Sequence, residues 1–73
     1  MRRTYILAGL DCAHCAQKIE RAVKKLPGVS EATVNFLSAK LLIEGEENRF
    51  EEIAEAARAV VRRYEPDVEM REG

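Results

Sequence analysis

Gly9-Leu10-Asp11-Cys12-Ala13-His14-Cys15 holds both cysteines and the single histidine of a 73-residue chain. The residues on either side of it decide the fold. Upstream, Arg3 to Gly9 is a strand-like run of Tyr, Ile and Leu that stops at a glycine. Downstream, Ala16, Ile19, Val23 and Leu26 recur at helical spacing, with Gln17, Lys18, Glu20, Arg21, Lys24 and Lys25 on the other side. The spacing predicts a helix from about His14 to Leu26. Lys24 and Lys25 suit its negative end, and Pro27-Gly28 stops it. Strand, short loop, helix is an order that sets two sulfurs at a helix N-terminus. There the unpaired N–H groups and the positive end of the dipole favour thiolate over thiol.

Beyond that helix, Val29 to Phe36 alternates, with Ala32, Val34 and Phe36 on one face and Thr33 and Asn35 on the other. Leu37-Ser38 is a short connection, and Ala39 to Glu44 alternates again with Leu41 and Ile43 inward. Two such runs so close together predict an antiparallel hairpin. Asn48 and Glu51 have the spacing of a capping box. They introduce a second helix whose apolar side is Phe50, Ile53, Ala54, Ala57, Val60 or Val61, and Tyr64. Pro66 ends it, and Val68 to Arg71 reads as a last, exposed edge strand. Tyr5, Phe36, Phe50 and Tyr64 are expected in the core, with Leu10 as an apolar plug beneath the loop. The order strand-helix-strand-strand-helix-strand predicts an α+β fold, a split βαβ arrangement with two helices on one face of a four-stranded antiparallel sheet.

Size and charge narrow the function. The chain is expected to be one domain spanning 1–73, with an ordered core of about 3–71. A domain this short buries roughly 60% of its unfolded surface, so its core is thin. A disulfide between Cys12 and Cys15 would close too short a loop to staple it. A hydrophobic fraction of 47% beside 34% charged residues argues against disorder. Twelve basic and thirteen acidic residues are well mixed and give a net charge of −1. No basic stripe interleaved with aromatics marks a nucleic-acid partner. No apolar run approaches the roughly 20 residues of a membrane span, and nothing resembles a secretory leader, so a cytoplasmic location is expected.

Three readings of the cysteine pair compete. Free cysteines are often small buried hydrophobes, but two in one loop at a helix start fit that poorly. CxxC between strand and helix also suits a dithiol oxidoreductase, though this chain is short, has no tryptophan and has no proline inside the motif. Metal binding fits best, because two thiolates at this spacing reach one soft ion. Two cysteines and one histidine cannot close a cysteine-rich structural site, so the site is open, as a carrier requires. Asp11 bears on the choice of ion. Cu(I) is satisfied by two soft sulfurs, whereas Zn2+, Cd2+ and Pb2+ take three or four ligands and more negative charge. Asp11 is therefore the expected third ligand. His14 is a weaker candidate, since its ring is expected to face solvent.

Gly-Leu-Asp-Cys-Ala-His-Cys-Ala, the amphipathic helix after it, Leu-Pro-Gly-Val and the Ala-x-Val-Asn-Phe strand together resemble a heavy-metal-associated domain, over Thr4 to Met70. The resemblance implies a ferredoxin-like βαββαβ fold and a soft metal ion held by Cys12 and Cys15. The Asp-Cys-x-x-Cys form resembles the N-terminal domain of zinc/cadmium/lead-exporting P-type ATPases, in which Asp11 would match a third ligand. Leu10 departs from the methionine usual at that place, a swap of similar volume, and Arg62-Arg63 lacks a glycine found in copper carriers. The expectation is thus a monomeric module, not itself an enzyme. It binds Zn2+, Cd2+ or Pb2+ and passes the ion on by ligand exchange, to or within a metal transporter. A Cu(I) metallochaperone and a dithiol oxidoreductase are the alternatives.

Overall fold

The computed structural model describes all 73 residues, Met1–Gly73. Strands β1 (Arg2–Ala8), β2 (Val29–Asn35), β3 (Lys40–Gly45) and β4 (Glu69–Glu72) form one sheet in the order β2-β3-β1-β4. Every neighbouring pair is antiparallel. Helices α1 (Ala13–Lys24) and α2 (Phe50–Tyr64) follow β1 and β3. This is the expected βαββαβ order.

The period-2 and period-3.6 apolar positions converge on one layer between sheet and helices. Tyr5, Leu7, Leu41 and Ile43 descend from the sheet, while Ile19, Val23, Phe50, Ile53, Ala57 and Val61 rise from the helices. Leu10, as expected, packs partly buried against this cluster. Val61 is the buried member of the Val60–Val61 choice. No side-chain polar atom is buried without a partner.

The structure corrects four expectations. Phe36 is 38% exposed, because the connection is longer than Leu37-Ser38. The turn Phe36–Ala39 closes with the Ala39 N–H on the Phe36 carbonyl, and Ala39 sits at φ +54. Phe36 is the first residue of that turn, past the end of β2 at Asn35, where the last pair with β3 is Asn35–Lys40. Tyr64 is 39% exposed, because it ends α2 and lies beside α1 near Lys18, Arg21 and Ala22. Asn48 caps nothing: it lies inside a 3₁₀ turn, Glu47–Arg49, and the N-cap of α2 is Arg49, with no side-chain bond. The Phe50 N–H, which an Asn48 cap would otherwise take, is instead spent on the Glu47 carbonyl. The chain ends, expected to be loose, are tied down. The Met1 ammonium donates to the Gly45 carbonyl at 2.9 Å, and the Gly73 N–H to Thr4 O at 3.0 Å.

What the fold does for the cysteine loop follows from direction. α1 leaves the C-terminal end of β1, and α2 runs back so that its last residue reaches the same end. The carbonyl of Asp67, in the turn after α2, lies 3.2 Å from where a Cβ on Gly9 would be, and Gly9 has φ +92. Only glycine meets both demands without strain. The close approach holds the α2–β4 turn against the β1–α1 loop.

Candidate metal centre

Cys12 is the N-cap of α1. Its backbone is extended, and its sulfur accepts the Cys15 N–H at 3.3 Å. A thiol thus takes the place that Ser or Asp usually fills, which fixes its side chain over the first turn. Cys15, three residues on, returns on the same face of that turn. Both cysteines are free and half-buried, so each sulfur is held by the protein and open to solvent on one side.

One carboxylate joins them. Cys12, Cys15 and Glu65 each offer a donor atom, and all three atoms lie within 4.8 Å of one another. Glu65 directly follows α2 as its C-cap, and its N–H is spent on the Val61 carbonyl at 2.8 Å. Asp11 and His14 are exposed, and neither belongs to this group. The sequence reading missed Glu65. Its signal was topological: in a βαββαβ domain the second helix ends beside the start of the first, so a carboxylate after the last turn of α2 arrives at the cysteines.

The two thiols do not titrate alike, contrary to the expectation that the helix start lowers both. Cys12 lies below the ordinary thiol value, because the Cys15 thiol and backbone N–H both donate to its sulfur. Cys15 is pushed up to about 12, first by donating its proton to Cys12 and then by sharing it with the Glu65 carboxylate. Removing that proton would leave three negative groups in contact. The steps belong to the pair, one proton leaving easily and one held. With limiting iodoacetamide near neutral pH, the Cys12 peptide is therefore expected to carry most of the label, since the thiolate is the nucleophile. Equal labelling by peptide mass analysis would contradict this picture of the pair.

Chemically, the arrangement is two sulfurs and one oxygen converging on a point at the protein rim. A dication placed there would replace the proton on Cys15 and offset all but one of the three negative charges. The donors suit a borderline or soft ion, and three protein ligands leave a coordination position open.

The sequence matches the heavy-metal-associated domain over residues 4–65. It is 31% identical over 72 residues to the cadmium, zinc and cobalt-transporting ATPase of Bacillus subtilis, covering 99% of this chain and 10% of that protein. It is 40% identical over 45 residues to the zinc/cadmium/lead-transporting P-type ATPase of Escherichia coli, covering 62% of this chain and 6% of that protein. The chain therefore spans a tenth or less of these curated relatives. Among solved structures it is similar to the metal-free N-terminal domain of ZntA, with a TM-score of 0.75 and 28% identity over 99% of this chain and 90% of that one.

Proposed function

This chain belongs to the heavy-metal-associated domain family, and from that membership we propose that Cys12 and Cys15 take a soft divalent ion, Zn2+, Cd2+ or Pb2+, with a carboxylate as third ligand. Heavy-metal binding is what the family does, and the domain by itself is a binding module. The choice of dication, the carboxylate and the transfer step make up the proposal. The convergence of Glu65 on the two sulfurs carries it. A hard oxygen is of no use to Cu(I), which two thiolates satisfy, but it completes a third position for a dication that needs it. Both carboxylates have a place. Glu65 is already beside the sulfurs, and Asp11 is covalently next to Cys12 on the exposed loop.

Transfer follows from the unfinished shell. A receiving protein brings its own donors to the open side of the ion. One new ligand binds before an old one leaves, and the protonation of Cys15 favours the last release. The relatives are transporting ATPases, so the domain is read as the metal-collecting part of such a transporter, on the cytoplasmic side. No helix here is long and apolar enough to cross a membrane. Any ATP-driven step belongs to a longer parent chain.

The test is a pair of conservative amides. Glu65→Gln and Asp11→Asn keep shape and remove charge. Each ligating carboxylate lost is expected to weaken Cd2+ and Zn2+ binding by at least the roughly ten- to hundredfold that loss of an outer-shell partner costs, with Cu(I) affinity, read against a chromogenic chelator, unchanged. Indifference of Cd2+ and Zn2+ to both changes, singly and together, would contradict the divalent reading and favour the copper carrier. Insulin reduction by the metal-free chain would instead point to the oxidoreductase.

A further inference from the structure

The sheet has two edges, β2 and β4, and the protein treats them differently. An edge strand presents unpaired N–H and C=O groups to any other strand. On β2 two outward N–H groups are covered. The Val34 N–H donates to Glu20 Oε2 at 2.8 Å, and the Ala32 N–H to Glu31 Oε1 at 3.1 Å. Lys24 Nζ stands 3.9 Å from Glu20 and 3.6 Å from Glu31 and holds both carboxylates in place.

On β4 the covering is almost absent. Ile6 pairs with Arg71 and Ala8 with Glu69, and the Gly73 N–H reaches Thr4 O. This alternation turns the backbone groups of residues 69, 71 and 73 toward β1 and those of Met70 and Glu72 away from it. Only the Met70 carbonyl has a partner on that side, Arg58 Nη1 at a long 3.4 Å. Between this edge and α2 runs an open groove of about 980 Å3, with Arg3, Phe50, Glu55, Arg58 and Glu72 along it.

We propose that β4 pairs antiparallel with β4 of a second copy of this chain, extending one sheet through both domains. The charges choose this occupant. A two-fold axis through Met70 lets the two Met70 residues exchange both backbone bonds, and it sets Glu69 opposite Arg71 of the second copy, twice. In the single chain Arg71 Nε already pairs with Glu69 Oε1 at 3.1 Å, so the intermolecular pair replaces an intramolecular one. The same axis lays α2 antiparallel to its copy. The first half of α2 carries Glu51, Glu52 and Glu55, and the second half Arg58, Arg62 and Arg63. Acidic half then faces basic half on both sides. A strand of uniform charge would match neither arrangement. The cysteine loop lies at the Ala8–Glu69 end of β4, so the axis sends the two loops to opposite ends and leaves each free to exchange metal. This departs from the monomer expected from the sequence.

The strand is four residues long, so the association is weak and concentration-dependent. It is read by sedimentation equilibrium of the reduced, metal-free chain with chelator present, up to millimolar concentration. The wild type is expected to populate a dimer, and the Met70 amide to gain exchange protection as concentration rises. Arg71→Glu sets Glu against Glu twice and is expected to raise the dimer dissociation constant by roughly tenfold or more. Glu69→Arg with Arg71→Glu is expected to restore it. Both residues are exposed, and circular dichroism confirms the fold of each variant. A wild type that stays monomeric at millimolar concentration overturns the proposal. So does a dimer indifferent to the charge reversals, one that the double swap fails to restore, or one lost with Cys12→Ser and Cys15→Ser.

Discussion

Replacing either cysteine by serine is expected to cost the domain its soft-metal affinity while leaving its fold intact. The size of the loss follows from ligand count. Structural zinc sites with four ligands bind with about 10–16 kcal/mol, or roughly 2.5–4 kcal/mol per ligand. Losing one sulfur of two should weaken Cd2+ binding by about two to three orders of magnitude, because one sulfur, a carboxylate oxygen and water are then left to hold the ion. The fold is spared for a specific reason at Cys12. Its sulfur caps α1 by accepting the Cys15 N–H, and a serine hydroxyl accepts the same bond. Cys12→Ala removes sulfur and cap together and should cost about 1 kcal/mol of stability in addition. Cadmium titration followed by thiolate-to-metal charge-transfer absorbance, with urea melts beside it, separates these effects. Retained tight binding in both serine variants would mean the thiols are not the ligands.

Leu7→Ala is expected to bring the metal-free domain close to unfolding. Leu7 is fully buried at the end of β1, two residues before Gly9, and its N–H donates to Ala39 O at 2.7 Å. Truncation at such a position costs about 2–5 kcal/mol, a large share of the 5–15 kcal/mol that holds a typical domain together. For a domain of this size that corresponds to a fall in Tm of roughly 10–20 °C or more. Metal should return much of it. An ion at a hundred times its Kd adds about 2.7 kcal/mol to the folded state, somewhat less because unfolded cysteines also bind. Thermal melts with and without Cd2+ measure both quantities. A variant as stable as wild type would show that the core does not rest on the sheet face assigned here. Absence of any metal-dependent rescue would show that the ion does not favour the folded loop.

Much of this was legible in the sequence because the elements announce themselves by period. Ile19 and Val23, Leu41 and Ile43, and Ile53 and Ala57 lie inward where their spacing put them. The cysteines stand at a helix start because Gly9 and the apolar run before it mark a strand end. What was hidden depended on details that period does not carry. Phe36 continues an alternating pattern, yet pairing stops at Asn35–Lys40 and Phe36 begins the four-residue turn that follows. Asn48 has a capping spacing, but a 3₁₀ turn had already met the need. Glu65 looks like one more acidic residue before a proline. Its nearness to Cys12 and Cys15 is a property of two helices brought antiparallel, which no local window contains. The split between the two thiols was equally unreadable, since it comes from one proton shared among three groups.

Sulfur counting around bound cadmium tests the central claim most directly. X-ray absorption fine structure at the cadmium edge, on the reduced chain loaded with one equivalent, reports how many sulfurs and oxygens surround the ion. Two sulfurs from Cys12 and Cys15 with oxygen filling the rest is the predicted shell, and Glu65→Gln or Asp11→Asn should thin the oxygen part. A shell of oxygen and nitrogen alone, or of four sulfurs drawn from two chains, would contradict it.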